Sequence, residues 1–437
     1  MSYFACALLF LLLALGLLTW GYGLPADMGS PTLVVVHLVA IGWLSLLMVG
    51  ALLQFVPVLT ARPLTLEWAG GAGLALIVSG LLILLTGFLA LDDGALPLAA
   101  LPAGALLLMT GFAFAAMPIA VNLWQSRPLP LPARFVVVGL ISLILTVGLG
   151  GAFATALGGM TGGSWAGNIT VAIPFHAALG LGGWLGFTAM GVSYRLLGMF
   201  LLSADAGGPL ARPLLAIGSG AVTLTGVAGY LALVGSSSSL LGLVAGLLAL
   251  LGTALYAYDA IVLYHRRRRP HLELNAVATI GSLVALAGLG ILVAVLLAAG
   301  RLAQHLDAIA FLAAFGWLTG LGLAQLFKIV PFLTWLEAFA PVMGRQPTPR
   351  VQDLVLEAAA APWFVAYFAA TGFATLVLLA GEIAPFRAFV GVQLGAVIAI
   401  VRHLIRARRL SYVPVLQRSL VTKPPMLFPT KQMGAKR

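Results

Sequence analysis

The stretch GWLGFTAMGVSYRLLG, residues 183–198, decides how this chain is read. Its opening Gly-Trp-Leu also stands at Gly42 to Leu44, in GWLSLLMVGALLQFVP, and at Gly316 to Leu318, in GWLTGLGLAQLFKIVP. In each copy a helix-breaking residue follows fifteen positions after the first Gly: Pro57, Gly198 and Pro331. The register is ungapped. Trp43, Trp184 and Trp317 align, and so do Gln54, Arg195 and Lys328, three residues before the breaker.

Composition says what solvent surrounds this pattern. The chain is 62% hydrophobic and 8% charged, with a mean hydropathy of +1.10. So few charges cannot cover a water-soluble domain, so the solvent is lipid. The 52 glycines suit close helix packing in a bilayer. Cys6 is the only cysteine, which excludes an intrachain disulfide and a Cys-x-x-Cys-His haem attachment. The amino terminus is apolar from Tyr3 with no Lys or Arg ahead of it. It therefore reads as the first span rather than as a signal peptide.

Runs of about 20 residues or more, long enough to cross the hydrocarbon, fall at 3–22, 31–59, 67–91, 98–123, 134–158, 169–203, 212–234, 239–264, 273–300, 305–337, 358–381 and 385–407. The expected fold class is all-α, a polytopic membrane protein of twelve spans. Arg62, Arg127, Arg134, Arg212, the Arg266 to Arg269 run, Arg345 and Arg350 occupy alternate loops, joined by the basic tail of residues 411–437. The opposite loops hold Asp27, Asp92, Asp93 and Glu382. Positive-inside logic places both termini in the cytoplasm, which requires an even number of spans. The net charge of +11 is thus a topology signal that also attracts anionic lipid. Nucleic-acid binding would need a basic surface interleaved with aromatics, which the sequence does not show.

On this map the Gly-Trp-Leu copies lie on spans 2, 6 and 10. An interval of four spans divides the chain into three pseudo-equivalent four-helix units, approximately 1–130, 131–270 and 271–410. The expected arrangement sets these units around an axis along the membrane normal, with spans 2, 6 and 10 inward.

Histidines mark the same three spans. His37, His176 and His305 stand at the outer ends of spans 2, 6 and 10, whereas His265, His271 and His403 read as solvated residues of the cytoplasmic side. His37 and His176 are about six residues into their spans, roughly 9 Å deep. An intramembrane histidine is a functional-site hypothesis by default, and imidazole is a common ligand of haem iron. The alternative is a packed histidine bonded to a neighbouring helix. At the other end, Arg195 and Lys328 either snorkel to headgroups or bind an anion or a quinone headgroup, with Asp259 and Glu337 as candidate partners.

Twelve spans, cytoplasmic termini, threefold pseudo-symmetry and outer histidines on spans 2, 6 and 10 resemble subunit I of the heme–copper oxidase superfamily. The stretch His176-Ala-Ala-Leu-Gly-Leu-Gly-Gly-Trp-Leu-Gly is similar to helices of its nitric oxide reductase and C-type oxidase branches. The chain also resembles the NnrS family of twelve-span proteins associated with haem and nitric oxide stress. The resemblance implies a non-covalent b-type haem on His37 and an active-site metal ligand at His176. It also implies a bacterial or archaeal cytoplasmic membrane and other respiratory or redox subunits as partners.

The chain departs from that pattern in two places. Where the family carries a His-x-His pair on span 10, alignment on Gly316-Trp317 puts Ile309 and Phe311, and His305 lies one turn further out. The family's further metal ligands on span 7 have no counterpart, since residues 212–234 hold no histidine. A complete binuclear centre is not expected, nor is copper, because His176 alone cannot supply its nitrogen ligands. The readings left open are a haem protein of electron transfer or of nitric oxide and oxygen handling, a haem-free structural subunit, and a small-solute transporter. Whether the chain is an enzyme does not follow from these residues.

Overall fold

The computed structural model describes all residues except 26–28, 93–95, 162–164, 204–207, 420, 423 and 428–437. Asp27, Asp93 and the end of the basic tail therefore lie outside the described residues. Among the described residues, twelve helices are long and apolar enough to cross a membrane. They are Ser2–Trp20, Ser30–Thr60, Glu67–Leu89, Ala100–Gln125, Leu131–Leu157, Ala166–Leu201, Ala211–Leu233, Ser239–His265, Leu274–Ala298, Leu302–Ala338, Glu357–Leu379 and Ile383–Arg408, numbered here as spans 1 to 12. The protein is an integral membrane protein. Large apolar side chains such as Leu9, Ile144, Leu240 and Val365 are exposed on its flanks, where lipid takes the place of a core.

Helix contacts recur at an interval of four spans. Spans 3 and 4, 7 and 8, and 11 and 12 form the broadest helix pairs, and spans 1, 5 and 9 each pack along spans 2, 6 and 10. Span 4 meets span 5, span 8 meets span 9, and span 12 returns to span 1, so the ring of helices closes. Ser2 donates its hydroxyl to the Leu427 carbonyl, which places the two ends of the described chain at the same end of the bundle.

Spans 2, 6 and 10 meet at the centre, and each changes winding there. Residues Leu38–Ser45, Ala178–Phe187 and Leu312–Thr319 are π-helical, and all three segments touch one another. π turns are rare and usually brief. Here they coincide with the Gly-Trp-Leu copies, and each residue of that tripeptide has a task. The glycine lets the span approach its neighbour, since a Cβ at Gly42 would lie 2.7 Å from the Phe10 ring and one at Gly316 would lie 3.0 Å from the Ala285 methyl.

The tryptophan reaches across to the next central helix, always at the position two residues past that helix's own tryptophan. Trp43 Nε1 donates to Thr319 Oγ1 at 2.8 Å, and Trp184 Nε1 donates to Ser45 Oγ at 3.0 Å. Trp317 points at Gly186 instead, its ring edge 2.7 Å from where a Cβ would stand, and its Nε1 has no partner. The three contacts run in one rotational sense, span 2 to 10, 10 to 6 and 6 to 2. They form a closed ring of buried indoles.

The three breakers do not break their helices. Pro57, Gly198 and Pro331 are each inside the helix, since a packed membrane bundle tolerates a helix-breaking residue within a span. Spans 2 and 6 end four residues later instead, at Ala61 and Leu202. Both adopt left-handed φ, 52° and 53°, and the N–H of the next residue, Arg62 or Ser203, donates to the Pro57 or Gly198 carbonyl. Span 10 runs on to Ala338.

Candidate functional site

At the end of the bundle remote from the termini, His37 closes the α-helical part of span 2, directly ahead of the first π segment. Its Nδ1 lies 2.8 Å from the Leu33 carbonyl one turn back. A carbonyl only accepts, so Nδ1 carries the proton and Nε2 presents a lone pair. The half-buried ring leans on Phe88 of span 3, centroids 4.6 Å apart. This orientation by a second, weaker bond is how proteins fix ligating histidines.

His176 stands in the corresponding place on span 6, two residues ahead of the second π segment. Its ring packs on Phe153 at 5.5 Å and over Gly150, where a Cβ would come within 2.9 Å of Cε1. Its Nδ1 is buried without a hydrogen-bond partner. The fold thus sets two of the three candidate histidines at corresponding places on spans 2 and 6.

His305 is set apart. It belongs to a single 3-10 turn, Leu302–His305, ahead of the α-helix of span 10, and its side chain makes no hydrogen bond among the described residues. Among the described residues no three His, Cys, Asp or Glu side chains converge as a metal cluster. The donors these spans offer are single imidazoles, His37 on span 2 and His176 on span 6.

The opposite end carries the charged groups, and their pairing differs from the sequence expectation. Lys328 binds Glu273, 2.5 Å away at the head of span 9, and Arg269 grips the same carboxylate. Burial alone would raise the Glu273 carboxyl, but the two cations together hold it below its ordinary value. Neither Asp259 nor Glu337 serves Lys328 or Arg195. Glu337 pairs with Arg408 at 2.6 Å. Asp259 is fully buried and accepts from the Tyr194 hydroxyl at 2.7 Å and the Leu210 N–H at 3.0 Å. Arg195 is half-buried with an unpartnered Nε, and the aligned Gln54 is exposed. His403 is likewise not a solvated residue. It is buried, with Nδ1 2.9 Å from the Tyr412 hydroxyl.

Sequence reasoning missed Glu273 because it sits 55 residues from Lys328, in a different helix pair. It also missed a polar cluster beside Asp259, in which the Tyr256 and Ser193 hydroxyls meet at 2.5 Å and Tyr256 stands edge-on to Tyr194. The visible signal was a lone acid in the apolar run of span 8. Set against protein-family models and curated proteins, the chain matches none.

Proposed function

We propose that the chain is a haem-binding membrane protein on an oxidase subunit I-like scaffold, one that lacks a complete binuclear centre and acts in electron transfer or in nitric oxide and oxygen handling. On this reading the three four-helix groups descend from one repeated unit. The histidine end faces outward, both termini are cytoplasmic, and other redox subunits exchange electrons with it.

One observation carries the proposal. His37 is held by the Leu33 carbonyl in the tautomer whose Nε2 is free to ligate, within an apolar span and at the place on span 2 that His176 takes on span 6. Bound at His37, a b-type haem supplies an iron that transfers an electron or takes a diatomic gas. The chain's own part is to orient the imidazole through Leu33 and to brace it against Phe88. A closed histidine-to-helix hydrogen bond at Nε2 would argue for a structural role, and none is formed among the described residues.

The test is an absorption spectrum of protein purified after expression with ample haem. A Soret band with a reducible α-band is expected. His37→Ala should remove it while the protein remains folded and membrane-inserted, and His176→Ala should shift it. Folded wild-type protein that stays colourless would reject the reading and favour a structural or transport role.

A further inference from the structure

Between the tryptophan ring and the basic end, spans 2, 6 and 10 line a half-open recess of about 70 Å³. Its walls come from matching positions on the three helices. Leu44, Leu185 and Leu318, one residue past each tryptophan, form the layer next to the indoles, and Ala51, Val192 and Gln325, eight residues past, form the middle. Close-packed interiors hold few voids larger than a water molecule, so a space repeated in all three walls is a feature of the design.

Water is a poor occupant. It needs two to four polar partners, and only Ser193 and Gln325 bring polar side chains to the wall. The Ser193 hydroxyl is taken by the Ala189 carbonyl and by Tyr256. The Gln325 amide donates to Thr279, and its oxygen, which has no hydrogen-bond partner, is buried and presents no surface to the recess. An apolar cavity of about 150 Å³ accepts benzene or xenon, so one of half that volume suits a single xenon atom or a diatomic molecule.

We propose that this axial recess is a binding site for one small apolar molecule of diatomic size, such as dioxygen or nitric oxide. The indole ring separates it from the histidine pair, and the site stands on its own whether or not haem is bound. Met48, Ala51, Phe55 and Gln325 are its partly exposed wall residues, and entry is past them.

Xenon is the probe. Xenon-pressurised crystals of the full-length protein, with ¹²⁹Xe NMR of the same protein in lipid nanodiscs, should show one saturable site on the axis. Ala51→Leu should lose it, and Val192→Ala, which only removes atoms, should bind xenon at least as tightly as wild type. His37→Ala should leave xenon binding unchanged, so a failure of the haem reading and a failure of this one are told apart. No saturable xenon in wild type, an axial signal untouched by Ala51→Leu, or an ordered acyl chain or water filling the recess would overturn the proposal.

Discussion

Gly186→Ala tests whether the tryptophan ring is the packing device that holds the centre together. A Cβ at residue 186 would stand 2.7 and 2.8 Å from Cη2 and Cζ3 of Trp317, and 2.9 Å from the Leu181 carbonyl oxygen. Two of these contacts belong to a buried, rigid indole and the third to backbone, so no flexible end can move aside. Overpacking of this kind costs about 1–3 kcal/mol. Alanine in place of helical glycine recovers about 0.5–1 kcal/mol of that cost.

Gly182→Ala, one turn earlier on the same helix, isolates the steric part, because its Cβ would meet nothing within 4 Å. The propensity gain is common to both variants, so they should differ in stability by about the overpacking cost, 1–3 kcal/mol. The assay is thermal unfolding in detergent followed with a thiol-reactive fluorogenic dye, since half-buried Cys6 is the only cysteine. Trp317→Phe in the Gly186→Ala background should return most of the difference, as a double-mutant cycle measures. Equal unfolding midpoints for Gly186→Ala and Gly182→Ala would refute the ring as a packing constraint.

Thr319→Val keeps the shape of the side chain but strips the Trp43 indole of its acceptor. It should cost about 1–3 kcal/mol in the same unfolding assay, and Trp43→Phe should abolish the effect. Asp259→Ala leaves the Tyr194 hydroxyl and the Leu210 N–H without an acceptor, so about 1–3 kcal/mol is expected for each, with a smaller loss for Asp259→Asn. Glu273 has a folded-state pKa held below its ordinary 4.5 by Lys328 and Arg269 against the pull of burial. The unfolded chain therefore takes up that proton first. The carboxylate's stabilisation is complete above that ordinary value and is lost as pH falls through the depressed one. Glu273→Gln should lower stability at neutral pH and flatten the acid limb of the stability profile, and an unchanged limb would contradict the assignment.

The all-helical class and the membrane were legible because composition alone leaves lipid as the only compatible solvent, and apolar runs of spanning length count the helices directly. Twelve runs read from the sequence meet twelve helices, with boundaries shifted by a few residues. The tripeptide at Gly42, Gly183 and Gly316 was equally legible as a recurring pattern, and so were His37 and His176 as isolated polar groups in apolar spans. What the pattern meant was not legible. A π turn depends on how a helix is pressed by its neighbours, and the reach of Trp43 to Thr319 crosses 276 residues of chain. Breaker residues carry their soluble-protein reputation in sequence, yet Pro57 and Pro331 are inside helices because a packed membrane bundle tolerates proline within a span. Charge pairing was misread for the same reason. A shared end of the bundle nominated Asp259 and Glu337, while Lys328 found its acid on span 9, and Asp259 answered two donors that only the fold brings to it. The sequence by itself determined the solvent, the number of crossings and the residues too costly to bury without purpose. Tertiary structure alone decided which of those residues meet, because helix-to-helix contacts depend on the rotation and winding of each span, which its apolar composition leaves free.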